Sequence, residues 1–360
     1  MPPGPPEVII AGAGIIGASI AWRLAQAGAS VTLLDSGGLG GEASWAGAGM
    51  LAPGGEIVCH AEWARIALES PALYPAFVEE LQQEAGVEID YRACGALEIA
   101  STEQEWQELL ARRQVQEQLG ICAAPAEAPP GAAGAFFYPD DALVDPRQIM
   151  QALRIACQRR GVRIREQTRV SEIGLSSEGA AVETAGGRLT GSAVVLAAGA
   201  WSSGIPVLRG LERLEIPTSY PVRGHLLGYR LAPGSLGPIL RRGHWYVMQR
   251  SSGFTIAGTS SETVGFDRRM DQEALACIRR EACELFPRLG AAGEPEAWLG
   301  FRPATPDLQP CVGRLDNTQL WLAYGHYRNG ILLAPATARR VSQEILSNSE
   351  TDLTAPFANR

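Results

Sequence analysis

The 360-residue sequence predicts an α/β protein in two parts, one built on a parallel sheet and one on an antiparallel sheet, and three observations carry that reading. An apolar strand, a glycine-rich turn and a helix open the chain. Strand and helix patterns then alternate as far as a buried-type strand, AVVLAA, at 193–198. From Ile216 the pattern changes to alternating apolar and polar residues, as half-exposed antiparallel strands require.

In the opening unit Val8, Ile9, Ile10 and Ala11 form the strand, and Gly12, Gly14 and Gly17 stand in GxGxxG register. Ile16, Ile20 and Leu24 repeat at i+4 along the helix, and Gly28 stops it. A second strand over 31–34 ends on Asp35. Gly12 permits the tight turn, Gly14 lets a pyrophosphate approach the N–H groups at the helix start, and Gly17 lets helix and strand touch. Asp35, 18 residues after Gly17, suits both hydroxyls of an adenosine ribose. The unit predicts dinucleotide binding. The absence of Arg and Lys from 36–44 argues against a 2′-phosphate.

Residues 37–50, GGLGGEASWAGAGM, either lie flat against a planar group or form a surface loop. A helix is predicted over 63–81, strands over 87–91 and 96–100, and a helix to about 119 with a capping box from Ser101 and Gln104. The Ala/Pro/Gly stretch 123–134 reads as a surface excursion. Asp145 caps a helix over 146–160 that Gly161 ends. Short strands over 162–164, 169–173 and 181–184 follow as a meander, with a hairpin turn at Gly186 and Gly187. Beyond 216, strands are predicted over 220–227, 244–249 and 254–258. An amphipathic helix over 271–286 presents Leu275, Ile278, Leu285 and Phe286 on one face. The chain then returns through 298–307 to a strand over 320–324 and a final helix to about 346. The division expected is 1–87, 139–215 and 300–360 for the cofactor domain, with 88–138 and 216–299 for the substrate domain.

Net charge −8 and pI ≈ 5.2 argue against a nucleic-acid partner. Residues 1–6 lack the basic region and apolar core of a signal peptide, and no apolar run reaches spanning length, so no membrane association and a cytoplasmic location are expected. Seven cysteines without a CxxC pair predict scattered thiols and no metal site. All 31 basic residues are arginine. The lack of lysine excludes Schiff-base, pyridoxal and P-loop chemistry.

A βαβ unit with an acid after its second strand, a meander, a return strand and the stretch AAGAWS at 197–202 together resemble the glutathione-reductase-type FAD fold and, within it, the D-amino-acid oxidase superfamily. AGAGMLAP (46–53), GFRPATPD (300–307) and GHYRNGILLAPAT (325–337) resemble most the glycine oxidase branch, of the ThiO type that serves thiamine pathways. The resemblance covers nearly the whole chain. It implies non-covalent FAD, held by Gly12, Gly14, Ile15, Ile16, Gly17 and Asp35, and by Ser44, Ala46, Gly49 and Met50 of the small-residue loop. Val170 would meet the adenine through its backbone, with Ala198, Gly199 and Trp201 nearby. Arg302, His326, Arg328, Asn329, Gly330 and Ile331 would surround the ring. The helix start after His326 is either a capped turn or a set of amides facing the flavin edge that becomes negative on reduction. Sarcosine oxidases, the close competitor, attach flavin to a cysteine where this chain has Gly300, and use a lysine this chain lacks.

By the same resemblance Arg302 clasps a substrate carboxylate, Tyr246 hydrogen-bonds it and Met50 lines the pocket. His244 is either near the site or structural. Departures from the family pattern at His225, Gln249 and Ser261 are expected to alter the pocket wall. The implied reaction oxidises a small α-amino acid or N-substituted glycine with O2, giving a keto acid, ammonia or an amine, and hydrogen peroxide. A specialised N-substituted glycine oxidase, a quinone-linked dehydrogenase and an FAD-binding subunit without turnover are the rival readings. Homo-oligomerisation is left open.

Overall fold

The unbroken Val, Ile and Leu runs near the start of the chain and at 193–196 become parallel strands buried on both faces. The computed structural model describes residues 7–57, 62–177 and 179–347. Its six-stranded sheet runs Cys311–Arg314, Leu320–Tyr324, Ala193–Leu196, Glu7–Ala11, Ser30–Leu34 and Arg163–Arg165, parallel except at the first pair. Through Val8, Ile10, Val31 and Leu33 one face meets the helices Ile15–Gln26, Glu62–Ala85, Pro146–Arg159 and Gly330–Ser347. Through Ile9, Leu34, Val194 and Leu196 the other face meets a five-stranded sheet. Each Leu or Ile so buried contributes about 1.5–3 kcal/mol.

Local signals place most of these elements. The Asp145 carboxylate accepts the Arg147 N–H at 2.9 Å, and Gly161 follows its helix at φ +77°. The capping box of helix Glu103–Gln118 forms one residue later than predicted, between Thr102 and Glu105. A carboxylate at the positive helix end outcompetes the Gln104 amide, which instead donates to Glu108. The predicted strand 87–91 contracts to Tyr91–Arg92. Arg163–Arg165 joins the parallel sheet, and the meander is completed by Gly187–Gly191 and extended by Val207–Arg209 and Glu212–Leu214. Strands this short show no alternation to read.

The second large sheet has eight strands, in the order Glu296–Ala304, Tyr220–Arg230, Phe254–Gly258, Trp245–Gln249, Ile239–Arg242, Ala96–Ala100, Gly134–Tyr138 and Ala124–Pro125. The segment predicted as a simple return is its edge strand, paired with Tyr220–Arg230 from Glu296 to Ala304. His244 lies in the turn before Trp245, off the strand where alternation placed it. One face carries Leu226, Tyr246, Met248, Ile256 and Trp298 against Ala46 and Ala48. The other carries Leu227, Val247 and Ala257 against helix Gln272–Leu285, whose Ile278 is buried on the predicted face. The six described cysteines are free, and Cys59 lies outside the described residues. Among the described residues no helix is long and apolar enough to cross a membrane.

Candidate active site

The parallel sheet and the eight-stranded sheet together wall a cavity of about 1080 Å³. That exceeds the roughly 300–1,000 Å³ of an ordinary small-molecule pocket. Every residue that the resemblance assigns to holding the cofactor or the substrate, except Gly17, lies on its wall. Gly17 works beneath it: a Cβ there would sit 2.0 Å from the Gly12 carbonyl oxygen, so only glycine permits this strand-to-helix contact.

At one end the cavity is made of backbone. Gly12 stands at φ +109°, and a Cβ on it would lie 2.3 Å from the Ala197 carbonyl. The helix beginning at Ile15 has no acid in its first turn and no side-chain cap from Gly14. Its positive end is met instead by Ser44, whose hydroxyl oxygen accepts the Ile15 N–H at 2.9 Å. Asp35 accepts the Ala13 N–H through Oδ2 and the Gly37 N–H through Oδ1, both at 2.8 Å. The acid thus braces the glycine turn, and each oxygen keeps a lone pair for a ribose hydroxyl. Met50 and Leu51 pair with Leu143 and Ala142. The turn Pro53–Glu56 that follows is held by the Gln116 side chain donating to the Gly54 carbonyl at 2.7 Å.

Further along, Asn329, Gly330 and Ile331 bring the start of the last helix to the wall. His326 is buried, its Nε2 3.1 Å from Thr337 Oγ1, and burial pulls its pKa down to about 3, so the ring is neutral at physiological pH. Arg328 pairs with Glu56 at 3.1 Å, and that carboxylate raises its pKa further. A Cβ at Gly300 would lie 2.5 Å from the Ala46 Cβ, so the position that sarcosine oxidases fill with cysteine has no room for one. Cys311 is off the wall, and burial pushes its thiol up to about 12. A helix start with no acid in its first turn, a ribose-ready carboxylate and a long cavity fit an FAD.

At the other end the site is made of side chains leaning across strands. Arg302 springs from the edge strand and lies over Gly224 of its neighbour, where a Cβ would be 2.3 Å from Nη2. Tyr246, two strands further on from Gly224, lies over Gly258 in the same way, with a Cβ 2.6 Å from its hydroxyl. The two side chains therefore approach each other over a pair of glycine gaps. Arg302 donates to the Ser260 carbonyl at 3.1 Å and to Thr259 Oγ1 at 2.6 Å, and no carboxylate among the described residues pairs with it. Burial lowers its pKa, and a guanidinium in a protein stays charged. Burial pushes the Tyr246 phenol up to about 12, so it stays protonated and able to donate.

Sequence reasoning misplaced the three departures. None of them lines the cavity. His225 and Gln249 sit one residue out of phase with Gly224 and Met248, so strand alternation sends them to the far face, where both are buried. Gln249 there accepts the Leu236 N–H at 3.2 Å and donates to Ala232 and Thr255. Ser261 is exposed. His244 is exposed beside Trp245 and off the wall. Glu56, Gly224, Thr259 and Tyr327 line the cavity and were not singled out. Glycine within a strand pattern, at 224, was the available signal.

The family described as FAD dependent oxidoreductase (DAO) matches residues 7–344. A glycine oxidase of Geobacillus kaustophilus is 33% identical over 368 residues, covering 98% of this chain and 96% of that protein. A bifunctional protein ThiO/ThiG of Synechocystis sp. is 35% identical across 98% of this chain, which spans 53% of that longer protein. The crystal structure of glycine oxidase from Geobacillus kaustophilus superposes with a TM-score of 0.90 at 30% identity, over 98% of each chain. On the fold, the cavity and these likenesses, the chain belongs to the DAO family of FAD dependent oxidoreductases and is an enzyme of the amino acid oxidase type.

Proposed function

We propose that the protein oxidises glycine, or a small D- or N-substituted relative of it, to glyoxylate or the matching keto acid, with release of ammonia or an amine. The observation that carries this reading is the unmatched guanidinium of Arg302. Glu56 neutralises Arg328, so beside Tyr246 the guanidinium of Arg302 is left without a carboxylate among the described residues, which suits a substrate carboxylate.

Two of the five guanidinium N–H groups of Arg302 already point at Ser260 and Thr259, and the others remain for a bidentate carboxylate. Tyr246 adds a phenol that donates at every working pH. Together they fix the α-carbon of a small zwitterion while Met50 and the Ala48 and Ala52 region limit its side chain. His326 is neutral and Glu56 is tied to Arg328, so orientation outweighs proton transfer by the protein. When bound, FAD would supply the two-electron oxidation, with O2 as the electron acceptor and hydrogen peroxide as the product. The resemblance and the crowding at Gly300 support non-covalent attachment.

Peroxide release from the purified yellow protein, measured across glycine, sarcosine, D-alanine and longer N-alkyl glycines, tests the reading. Turnover of glycine or a near relative with stoichiometric peroxide is expected. Flavin bleaching by these amines without peroxide under air identifies a dehydrogenase, and no bleaching by any of them overturns the proposal.

A further inference from the structure

His225 is a buried residue that takes no part in the site described above, yet its backbone and its ring together tie down both groups that aim Arg302. Its strand turns Gly224 to the cavity and His225 to the opposite face, where it is 0% exposed. The two acceptors for the guanidinium, Thr259 Oγ1 and the Ser260 carbonyl, belong to the segment just past strand Phe254–Gly258. His225 holds this segment from three sides. Its N–H donates to Ser260 Oγ at 2.9 Å, its Nδ1 lies 2.9 Å from the same oxygen and 3.0 Å from Glu262 Oε1, and its carbonyl accepts the Thr259 hydroxyl at 3.0 Å. Because Thr259 gives its one proton to that carbonyl, its lone pairs are left for Arg302.

The imidazole is held in turn. The Asp271 N–H donates to Nε2 at 3.1 Å, which puts the proton of the neutral ring on Nδ1, facing Ser260 and Glu262. Glu262 is fixed by the Arg223 guanidinium and by backbone hydrogen bonds in both directions between residues 223 and 262. We propose that His225 is a positioning residue for carboxylate recognition, setting the aim of Arg302 by locking Thr259 and Ser260. This rests on the reading that Arg302 holds the substrate carboxylate. Loss of the imidazole removes the ring's tie to Ser260 and Glu262 and keeps the two backbone ties, so the charge stays in the pocket, its direction loosens, and the damage falls on carboxylate affinity rather than on flavin or turnover.

The test uses the flavin-loaded enzyme and its His225→Leu, His225→Gln and Arg302→Ala variants. Binding of acetate and of uncharged acetamide is read from the flavin absorbance, alongside the KM and kcat for glycine. His225→Leu should weaken acetate about tenfold and raise KM by a similar factor, with kcat within about twofold and acetamide little changed. His225→Gln, whose amide N–H can replace Nδ1–H, should recover acetate binding to within about threefold of the parent. Unchanged acetate binding in His225→Leu, or equal weakening of acetate and acetamide, overturns the proposal. If His225→Leu fails to hold flavin, Ser260→Ala decides by the same comparison, because it cuts the tie and keeps the carbonyl. Arg302→Ala separates the two levels: normal acetate binding there overturns the carboxylate reading itself, whereas loss there with normal binding in His225→Leu overturns only the role given to His225.

Discussion

The two ends of the cavity are built by opposite means. The end proposed for the cofactor is backbone: glycines at 12, 14 and 17 within a single strand-turn-helix, a braced acid and a helix start with no acid in its first turn. The end proposed for the substrate is side chains from strands that are far apart in sequence, Arg302 and Tyr246, each lying across a glycine of an inner strand. Backbone recognition works by close approach, so it fails when any Cβ is added. Side-chain recognition works by aim, so it fails by degrees as the supporting contacts loosen.

That contrast is open to direct attack, most severely at Gly12. Gly12→Ala drives a methyl into the Ala197 carbonyl at φ +109°, which should cost about 3 kcal/mol or more. The purified variant should be colourless and melt lower. A yellow Gly12→Ala with unchanged melting would show that the turn is less demanding than its geometry implies. At the other end, Arg302→Ala should keep its flavin spectrum while KM for glycine rises about 100-fold or more. Unchanged kinetics would remove the carboxylate clasp.

Smaller changes sharpen the distinction. Gly224→Ala pushes against the guanidinium rather than against backbone, so a flexible side chain can move aside and KM should rise by about tenfold with flavin retained. If flavin is lost as well, the two ends are mechanically coupled and the contrast is weaker than drawn. The mildest expectation concerns pH. The folded-state pKa of His326, about 3, lies below its ordinary 6.5. The unfolded chain therefore binds the extra proton first, and the stability contributed by the neutral ring is complete above pH 6.5 and lost as pH falls toward 3. His326→Gln should flatten the decline of melting temperature across that window, and a slope equal to the parent's would assign the acid sensitivity elsewhere.

Legibility followed the same divide. Residues 7–35 announce their fold, because strand, turn, helix and acid are adjacent and each local preference agrees with the tertiary outcome. The Asp145 cap and the Gly161 stop were readable for the same reason. The edge strand Glu296–Ala304 was not, since its residues are mixed in burial and only pairing with Tyr220–Arg230 makes it a strand. His225 and Gln249 were misplaced because the family pattern carries no strand phase, and a one-residue difference of phase reverses the face; Ser261 lies past the end of its strand, and His244, left open by the sequence, lies in a turn.

Contiguous pattern was sufficient for the dinucleotide unit, for the α/β class and for the absence of lysine chemistry, since each depends on residue type and near spacing alone. The pairing of Glu56 with Arg328, the lone charge on Arg302 and the bracing of its acceptors by His225 depend on which segments meet. Those meetings are set by sheet order and register, which join residues from tens to hundreds of positions apart and leave no local trace in either partner.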